Sequence, residues 1–244
     1  MVRRAAQALV AIGMVLTASL ALGPNPAHAA STSAAKPKVG ACHAMSYKKT
    51  AAISDSSKPV PCTKRHTAVT VAVVDASTSL AGLTQDQLNT LGADICSRQD
   101  LKELGRGPIR RAMSAYNIVF FQPTGAQIRA GARWFRCDLT LRAGRKMLPL
   151  PAHLSRPVLP KHASDRTEHC LTRTHLSTPC SSTHAFRPVG AIKFKPVAYP
   201  SRDDFVQAGN ELCPARGRYY YTWSAAGIWA AGDRVLVCYT KTRK

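Results

Sequence analysis

Two short segments of this chain bring a thiol and an imidazole close together. Cys62 is followed four residues later by His66, and Cys180 is followed at the same spacing by His184. Thiolate and imidazole are ligands that zinc prefers, so each segment could supply part of a metal site. Structural zinc sites usually pair their cysteines at Cys-x-x-Cys spacing, which this sequence lacks. We therefore predict no metal site and expect both histidines to be hydrogen-bonded residues at the start of a strand.

The compartment decides what the cysteines do, and the first 29 residues indicate export. Arg3 and Arg4 form a basic start, residues 8–22 form an apolar run, and residues 27–29 read Ala-His-Ala, a small-x-small cleavage site. We predict a signal peptide over residues 1–29, a mature chain from Ala30, and a flexible lead over residues 30–40. Retention of the apolar run as a membrane anchor is the alternative. The expected location is outside the cell or in the cell envelope.

The eight cysteines form two ordered sets of four, and in an oxidising compartment such sets predict disulfides. Each set allows three pairings, and the sequence alone does not choose among them. We favour joining the first to the second and the third to the fourth, because the third cysteine of each set ends a predicted helix beside a strand that carries the fourth. The favoured pairs are Cys42–Cys62, Cys96–Cys137, Cys170–Cys180 and Cys213–Cys238.

The order of these features repeats, which indicates an internal duplication. Helix positions from Thr84 to Cys96 match positions from Ser201 to Cys213 at an offset of 117. A closing Gly-x-Arg-x-x-x-Cys motif matches at an offset of 101. Its members are Gly131, Arg133 and Cys137 in the first copy and Gly232, Arg234 and Cys238 in the second.

Each copy predicts the order strand, helix, strand, turn, strand. Residues 67–75, 116–121 and 134–141 are the predicted strands of the first copy, and residues 184–194, 218–223 and 233–240 those of the second. A capping box at Thr84 and Gln87 starts the first helix, and Ser201 with Asp204 repeats it. The predicted fold class is α+β, as two tandem disulfide-stapled modules, each a short sheet with one main helix. Their bounds are 41–142 and 169–244, joined by a proline-rich basic linker at 143–168.

The charge favours an anionic partner, and a role in solubility alone is the alternative. The chain holds 34 basic and 13 acidic residues, a net charge of +21 that falls to +19 without Arg3 and Arg4. A field of one sign attracts polyanions without specifying which one. Two predicted turns after the helices are basic, and we expect them to be exposed anion-binding sites. Their residues are Arg106, Arg110, Arg111, Arg216 and Arg218.

Catalysis has little support in the sequence. It has no Gly-x-Ser-x-Gly, no His-Glu-x-x-His and no glycine-rich phosphate loop. The carboxylates Asp138, Glu168, Asp203 and Asp204 suit capping and surface roles as well as acid–base chemistry. We predict a protein that is not an enzyme and has no cofactor.

The order of cysteines, Cys-x-x-x-His and the closing motif resembles the septum-formation family of actinobacterial envelope proteins. That family shows Trp-x-x-Gly-x-Arg-x-x-x-Cys at its close, which the second copy matches from Trp229 to Cys238, while the first has Ile128 at the tryptophan position. The resemblance implies exported, disulfide-stapled binding or scaffold domains with a role around the division septum, and no known catalytic activity.

We therefore predict an exported, non-enzymatic envelope protein that binds or scaffolds anionic wall components or division-associated partners. An anionic wall polymer or an envelope protein is the expected partner, a membrane surface is possible, and nucleic acid is not expected. The alternatives are a secreted wall-degrading hydrolase and a cationic adhesin or effector that binds anionic surfaces.

Overall fold

The first half of the chain builds its sheet around a β-branched strand, as the sequence predicts. A computed structural model describes residues 36–195, 197–213 and 219–242. Strand β2 (Ala68–Asp75) lies between β1 (Cys42–His43) and β4 (Trp134–Ala143), and β3 (Tyr116–Phe121) pairs with the other side of β4. A two-residue strand, β5 (Lys146–Met147), folds back on the end of β4. All of these pairings are antiparallel.

The main helix of this half, α1 (Gln85–Leu104), begins at the predicted capping box. The Thr84 hydroxyl accepts a hydrogen bond from the backbone of Gln87, and the Gln87 side chain accepts one from the backbone of Thr84. The helix ends at Gly105, whose φ of 65° suits glycine. Two one-turn helices follow, α2 (Pro108–Ala112) and α3 (Gly125–Arg129).

The second half repeats this order with a sheet of its own. The strand order is β7-β6-β8-β10-β9, again antiparallel throughout. The strands are β6 (His169–Leu171), β7 (Ser177–Pro179), β8 (Phe186–Lys193), β9 (Tyr219–Trp223) and β10 (Val235–Lys241). The helices are α4 (Arg202–Leu212), which starts at a capping box of Ser201 and Asp204, and the short α5 (Ala226–Ala230). The mixed helix-and-sheet class is therefore confirmed.

A core lies between each main helix and its sheet. In the first half, Leu88 and Ile95 of α1 pack with Phe135 and Leu139 of β4. In the second half, Phe205 of α4 packs with Leu236, and Trp223 stacks on Phe205 with ring centroids 4.7 Å apart. Burying each of these large side chains contributes roughly 1.5–3 kcal/mol.

The four favoured disulfides are confirmed. Cys96–Cys137 joins α1 to β4, and Cys213–Cys238 joins the residue that follows α4 to β10, with a Cα–Cα distance of 5.5 Å in both. Both β4 and β10 are inner strands of their sheets. Cys42–Cys62 and Cys170–Cys180 each close a loop at the start of a half. No free cysteine is found in the described part of the chain. Each bond stabilises the fold by about 3–4 kcal/mol in the chain-entropy model, more for the longer loops.

The segment predicted as a linker, residues 143–168, packs on the first half over part of its length. Val158 and Leu159 are buried in the core beneath α1, and their backbone amides donate to the carbonyls of Glu103 and Leu104. Leu150 is also buried, and its amide donates to the carbonyl of His66. The described residues all belong to one compact unit, residues 33–244. Their division into two modules stays a prediction.

Helix α2 and the residue after it contribute to the contact between the two halves. Ala112 and Met113 pack on a buried cluster of the second sheet, composed of Leu171, Val235, Val237 and Tyr239. Beside this cluster, the Arg111 guanidinium donates two hydrogen bonds of 2.6 Å to the Asp233 carboxylate. The halves are thus joined by both apolar and ionic contacts.

The predicted signal peptide lies outside the described residues. Within the described ranges, no helix combines the length and the apolar character that a membrane span needs. Residues 36–40 of the predicted flexible lead lie beside β2, where Gly40 N donates to the Thr70 carbonyl and Lys36 pairs with Asp75 at 2.7 Å.

Candidate functional site: a cationic groove

The two repeated histidines lie in the same local structure. His66 Nδ1 lies 2.9 Å from the carbonyl oxygen of Lys64, and His184 Nδ1 lies 2.8 Å from that of Ser182. Because a carbonyl only accepts, Nδ1 must carry the hydrogen in both rings. Both side chains are buried. The repeated histidine therefore holds the turn that leads into β2 or β8, as expected for a hydrogen-bonded residue at the start of a strand.

The closing motifs also have matching structural roles. Gly131 and Gly232 adopt positive φ values of 87° and 117°, which favour glycine. The carbonyl of Arg133 accepts from Ala76 N, and that of Arg234 accepts from Phe194 N, so each arginine ties the end of one strand to the neighbouring chain. The Arg133 side chain is exposed and that of Arg234 is half-buried.

Trp229, the residue that carries the family resemblance, belongs to the core. Its side chain is buried, and its indole N–H donates to the Val197 carbonyl at 3.1 Å. Phe205 contacts it edge to face at a ring distance of 5.4 Å. In the first half, Ile128 takes the corresponding place as a partly buried side chain against the core.

About half of the acidic residues of this protein are withdrawn from its surface, whereas most of its described lysines and arginines are exposed. Among the described residues, 22 exposed residues are lysine or arginine, whereas six are aspartate or glutamate. Several of the remaining carboxylates pair with arginine inside the fold, as Asp233 does with Arg111. The surface is therefore more strongly cationic than the overall composition indicates.

The clearest internal network of this kind surrounds Arg136 on β4. Its guanidinium lies 2.7 Å from Asp55 and 2.9 Å from Asp138, over the Phe121 ring. Burial opposes ionisation of Asp55, but hydrogen bonds from Arg136, Ser57 and Lys49 hold its pKa well below the ordinary range. Burial raises the pKa of Asp138 to about 6, against the pull of Arg136.

Beside this network, burial lowers the pKa of His43 to about 4, with the positive charge of Arg136 acting in the same direction. Its imidazole is therefore neutral at pH 7. Thr70 donates to Asp138 at 2.8 Å and lies 3.3 Å from His43 Nε2. Thr70 and Asp138 have no exposed surface, so a substrate cannot reach them. This chain of polar groups stabilises the first sheet.

A groove of about 430 Å³ opens beside the first repeated segment. Arg65, from the Cys62–His66 segment, and Arg145, from the turn between β4 and β5, both line it, together with Tyr47. The amide of Leu150 donates to the carbonyl of His66, which holds the chain after β5 next to Arg65. The described lining includes no carboxylate.

Further positive charge surrounds this groove. The Arg142 guanidinium carbon lies 5.7 Å from the centroid of the Tyr47 ring, and Arg142 Nε is buried without a hydrogen-bond partner. Lys64 and Lys146 are exposed beside Arg65 and Arg145 in the chain. Guanidinium groups present a planar fork of donors that matches phosphate and carboxylate oxygens. The groove can therefore hold an anionic group.

The predicted basic turns have a different placement. Arg111 does not stay exposed as expected, because the Asp233 carboxylate already balances its charge and both side chains are largely buried, at 14% and 3% exposure. Arg106 is exposed, with its Nε donating to the Leu159 carbonyl, and Arg110 is half-buried in α2. The anion-binding role of Arg106 and Arg110 stays a prediction. Arg216 and Arg218 lie outside the described residues.

The groove arginines were not identified from the sequence. The sequence signal was two pairs of adjacent basic residues, Lys64–Arg65 and Arg145–Lys146. The β4–β5 hairpin brings the two pairs to the same groove. Of the two carboxylates in the first turn of α4, Asp204 accepts from Ser201 and Asp203 is exposed. No group of three side chains suited to a metal occurs among the residues described.

Comparison with known proteins gives one result. A family model described as "Septum formation" matches residues 84–238, which is more than half of the chain and extends from the start of α1 to the last cysteine. No curated protein and no solved structure matches the chain.

Proposed function

We propose that this chain, which belongs to the septum-formation family, is an exported, non-enzymatic protein of the cell envelope that binds anionic wall polymers where the septum forms. Family membership and four disulfides support a role in division or in the envelope. The binding function rests on the distribution of charge.

The observation that carries the proposal is the groove lined by Arg65 and Arg145. Neither side chain has an ion-pair partner among the described residues, and the groove lining has no carboxylate. The rest of the surface adds a long-range attraction, because exposed cations outnumber exposed carboxylates by 22 to six in the described part of the chain. Polymers with repeated phosphate or carboxylate groups fit both features.

We further propose that the chain arose as two tandem copies of one module. Both main helices start at a capping box, and a disulfide in or just after each helix joins it to an inner strand at the same Cα–Cα distance. Gly92 and Gly209, 117 positions apart, each let an aromatic ring of the edge strand lie against the helix backbone. Two linked cationic modules would bind one polymer more tightly than either alone, because the second contact forms at a raised effective concentration.

The experiment is a pair of matched charge reversals. Arg65→Glu with Arg145→Glu alters the groove, and Arg129→Glu with Arg173→Glu changes net charge by the same amount at exposed positions elsewhere. Binding of the oxidised protein to purified anionic wall polymer is measured by calorimetry at increasing salt. We expect the groove variant to bind about tenfold more weakly than the control, a difference of about 1.4 kcal/mol.

Binding should also weaken as salt rises, because exposed charges are screened beyond about 8 Å at physiological ionic strength. An equal loss of affinity in the two variants would show that binding depends on net charge alone and not on the groove. Retention by anionic vesicles or by nucleic acid, with none by wall polymer, would contradict the assigned partner.

A further inference from the structure

Two neighbouring cavities lie between the first sheet and the second half of the chain. Their volumes are about 250 and 310 Å³. They share five lining residues, so we treat them as one feature, the β3 cleft: Asp100, Tyr116, Asn117, Ala225 and Ile228. This cleft is separate from the cationic groove.

One wall of the β3 cleft is the open edge of a strand. Strand β3 is last in its sheet and pairs only with β4 among the described strands. Side chains alternate between the two faces of a strand. Tyr116 and Ile118 point to one face and Asn117 to the other, yet all three line the cleft. The cleft therefore runs along the strand edge. The Tyr116 amide already donates to Ser114 Oγ at 3.2 Å, and the edge beyond it offers backbone groups for pairing.

The opposite wall is fixed by close packing of two helices. Helix α5 approaches α1 at Gly227, where an added Cβ would lie 2.9 Å from Ser97 Oγ. Ile228 and Ala225 on this side face the cleft across from β3. The close approach of α5 to α1 thus limits the width of the cleft, and a side chain at position 227 would require Ser97 to move.

A carboxylate without a partner lies where the two cavities meet. Asp100 lines both of them, and its Oδ1 is buried with no hydrogen-bond partner. Arg111, which lines the first cavity with Asp100, is already held by both oxygens of Asp233. Burial raises the pKa of Asp100 to about 7, and the charge of Asp233 acts in the same direction, while Arg111 opposes it. His169 lines the first of the two cavities. Burial lowers the pKa of its imidazole to about 4, so the ring is uncharged at pH 7.

We propose that the β3 cleft binds an extended peptide that lies along the open edge of β3 and places a primary amine against the Asp100 carboxylate. Strand addition supplies main-chain hydrogen bonds without regard to sequence. The uncompensated carboxylate supplies the selectivity, because an ammonium group would both neutralise it and donate hydrogen bonds to it. On a protein whose surface is mostly cationic, the Asp100 carboxylate therefore distinguishes this cleft as a site for a positively charged group.

The test uses a pentapeptide with blocked ends and one central lysine, flanked by valine and alanine. The matched control is the same peptide with acetyl-lysine, which keeps the backbone and removes the charge. Titration of the oxidised full-length mature protein at pH 8 should give saturable binding of the lysine peptide, at least about tenfold tighter than the control. Asp100→Asn, which keeps the shape of the side chain, should remove that preference.

Hydrogen exchange on the wild-type protein locates the peptide without any substitution. We expect slower exchange for amides of β3 in the presence of the lysine peptide. Equal binding of the two peptides, no saturation at millimolar peptide, or protection confined to residues outside β3, α1 and α5 would each overturn the proposal. Because the cleft and the groove share no lining residue, loss of polymer binding in the groove variant leaves this result unaffected.

Discussion

Substitution of one helix glycine tests how closely the main helix packs on its sheet. A Cβ added at Gly92 would lie 2.6 Å from two carbons of the Phe120 ring and 2.8 Å from Phe135 Cε1. Non-bonded carbons are most stable at about 3.5–4.0 Å, so the rings or the helix must move by about 1 Å. Phe135 is fully buried and has little room to move.

The magnitude follows from two opposed effects. Helix propensity alone would make Gly92→Ala stabilising by about 1 kcal/mol. Overpacking of a core costs about 1–3 kcal/mol and occasionally more. Since the contact is far inside the normal distance, we expect the steric cost to dominate and the net free energy of unfolding to fall by about 1–2 kcal/mol. The melting temperature should then fall by roughly 2–8 °C, at about 2–4 °C per kcal/mol for a protein of this size.

The assay is thermal unfolding of the oxidised protein followed by circular dichroism. Gly125→Ala in α3 is the control, because its Cβ meets only Arg129 Nη1 at an ordinary 3.6 Å. In a protein that already carries Phe120→Ala, Gly92→Ala should destabilise the fold much less than it does in the wild type, because the ring that the new Cβ meets is gone. If the two halves are copies, Gly209→Ala should behave alike, since its Cβ would lie 2.7 Å from the Tyr221 ring. An unchanged or raised melting temperature for Gly92→Ala would refute this packing argument.

Three further predictions concern the disulfides, the pH dependence and the contact between halves. Replacing Cys96 and Cys137 by alanine should lower the free energy of unfolding by about 4 kcal/mol in denaturant titrations, more than the roughly 3 kcal/mol expected for Cys170 and Cys180, because the closed loop is longer. Burial raises the pKa of Asp100, so the folded state holds an extra proton and the free energy of unfolding contributed by this group falls as pH rises from about 4 to about 7. The Asp100→Asn variant lacks this pH-dependent contribution. Its free energy of unfolding minus that of the wild type should therefore rise by at least about 1 kcal/mol between pH 4 and 8. A difference that does not change with pH would contradict this prediction. Asp233→Asn should lower the free energy of unfolding by about 3 kcal/mol in the same titrations, because it leaves Arg111 without its partner between the halves. A change within about 0.5 kcal/mol of zero, the range of surface substitutions, would contradict a structural role for this ion pair.

Local signals in the sequence were sufficient for the two main helices and the longer strands, and they favoured the disulfide pairing that the structure has. The hydroxyl of Thr84 and the amide of Gln87 determine the start of α1 through neighbours in the chain, and the same holds for Ser201 and α4. Cys96 and Cys213 each end an apolar helix face, so their strand partners Cys137 and Cys238 could be inferred from helix-on-sheet packing. These pairings depend on contacts within one half.

Long-range pairing explains what the sequence did not indicate. In the sequence, Arg111 belongs to what resembles an exposed basic turn. In the fold it forms an internal ion pair with Asp233, which lies 122 residues later in the chain. Arg65 and Arg145 line one groove because the β4–β5 hairpin folds back and the chain after it hydrogen-bonds to His66. Asp100 is one of several polar residues along α1, and its isolation depends on α5 closing one side of the cleft.

The central claim, that this protein acts at the septum by binding anionic wall polymer through its groove, is tested most directly in dividing cells. A functional fluorescent fusion is imaged as wild type, as the Arg65→Glu and Arg145→Glu variant, and as the Arg129→Glu and Arg173→Glu control, all at matched levels of oxidised protein. We predict that wild type and control concentrate at the septum and that the groove variant is spread over the envelope or released to the medium. An even distribution of the wild type, or septal enrichment of all three proteins, would contradict the account.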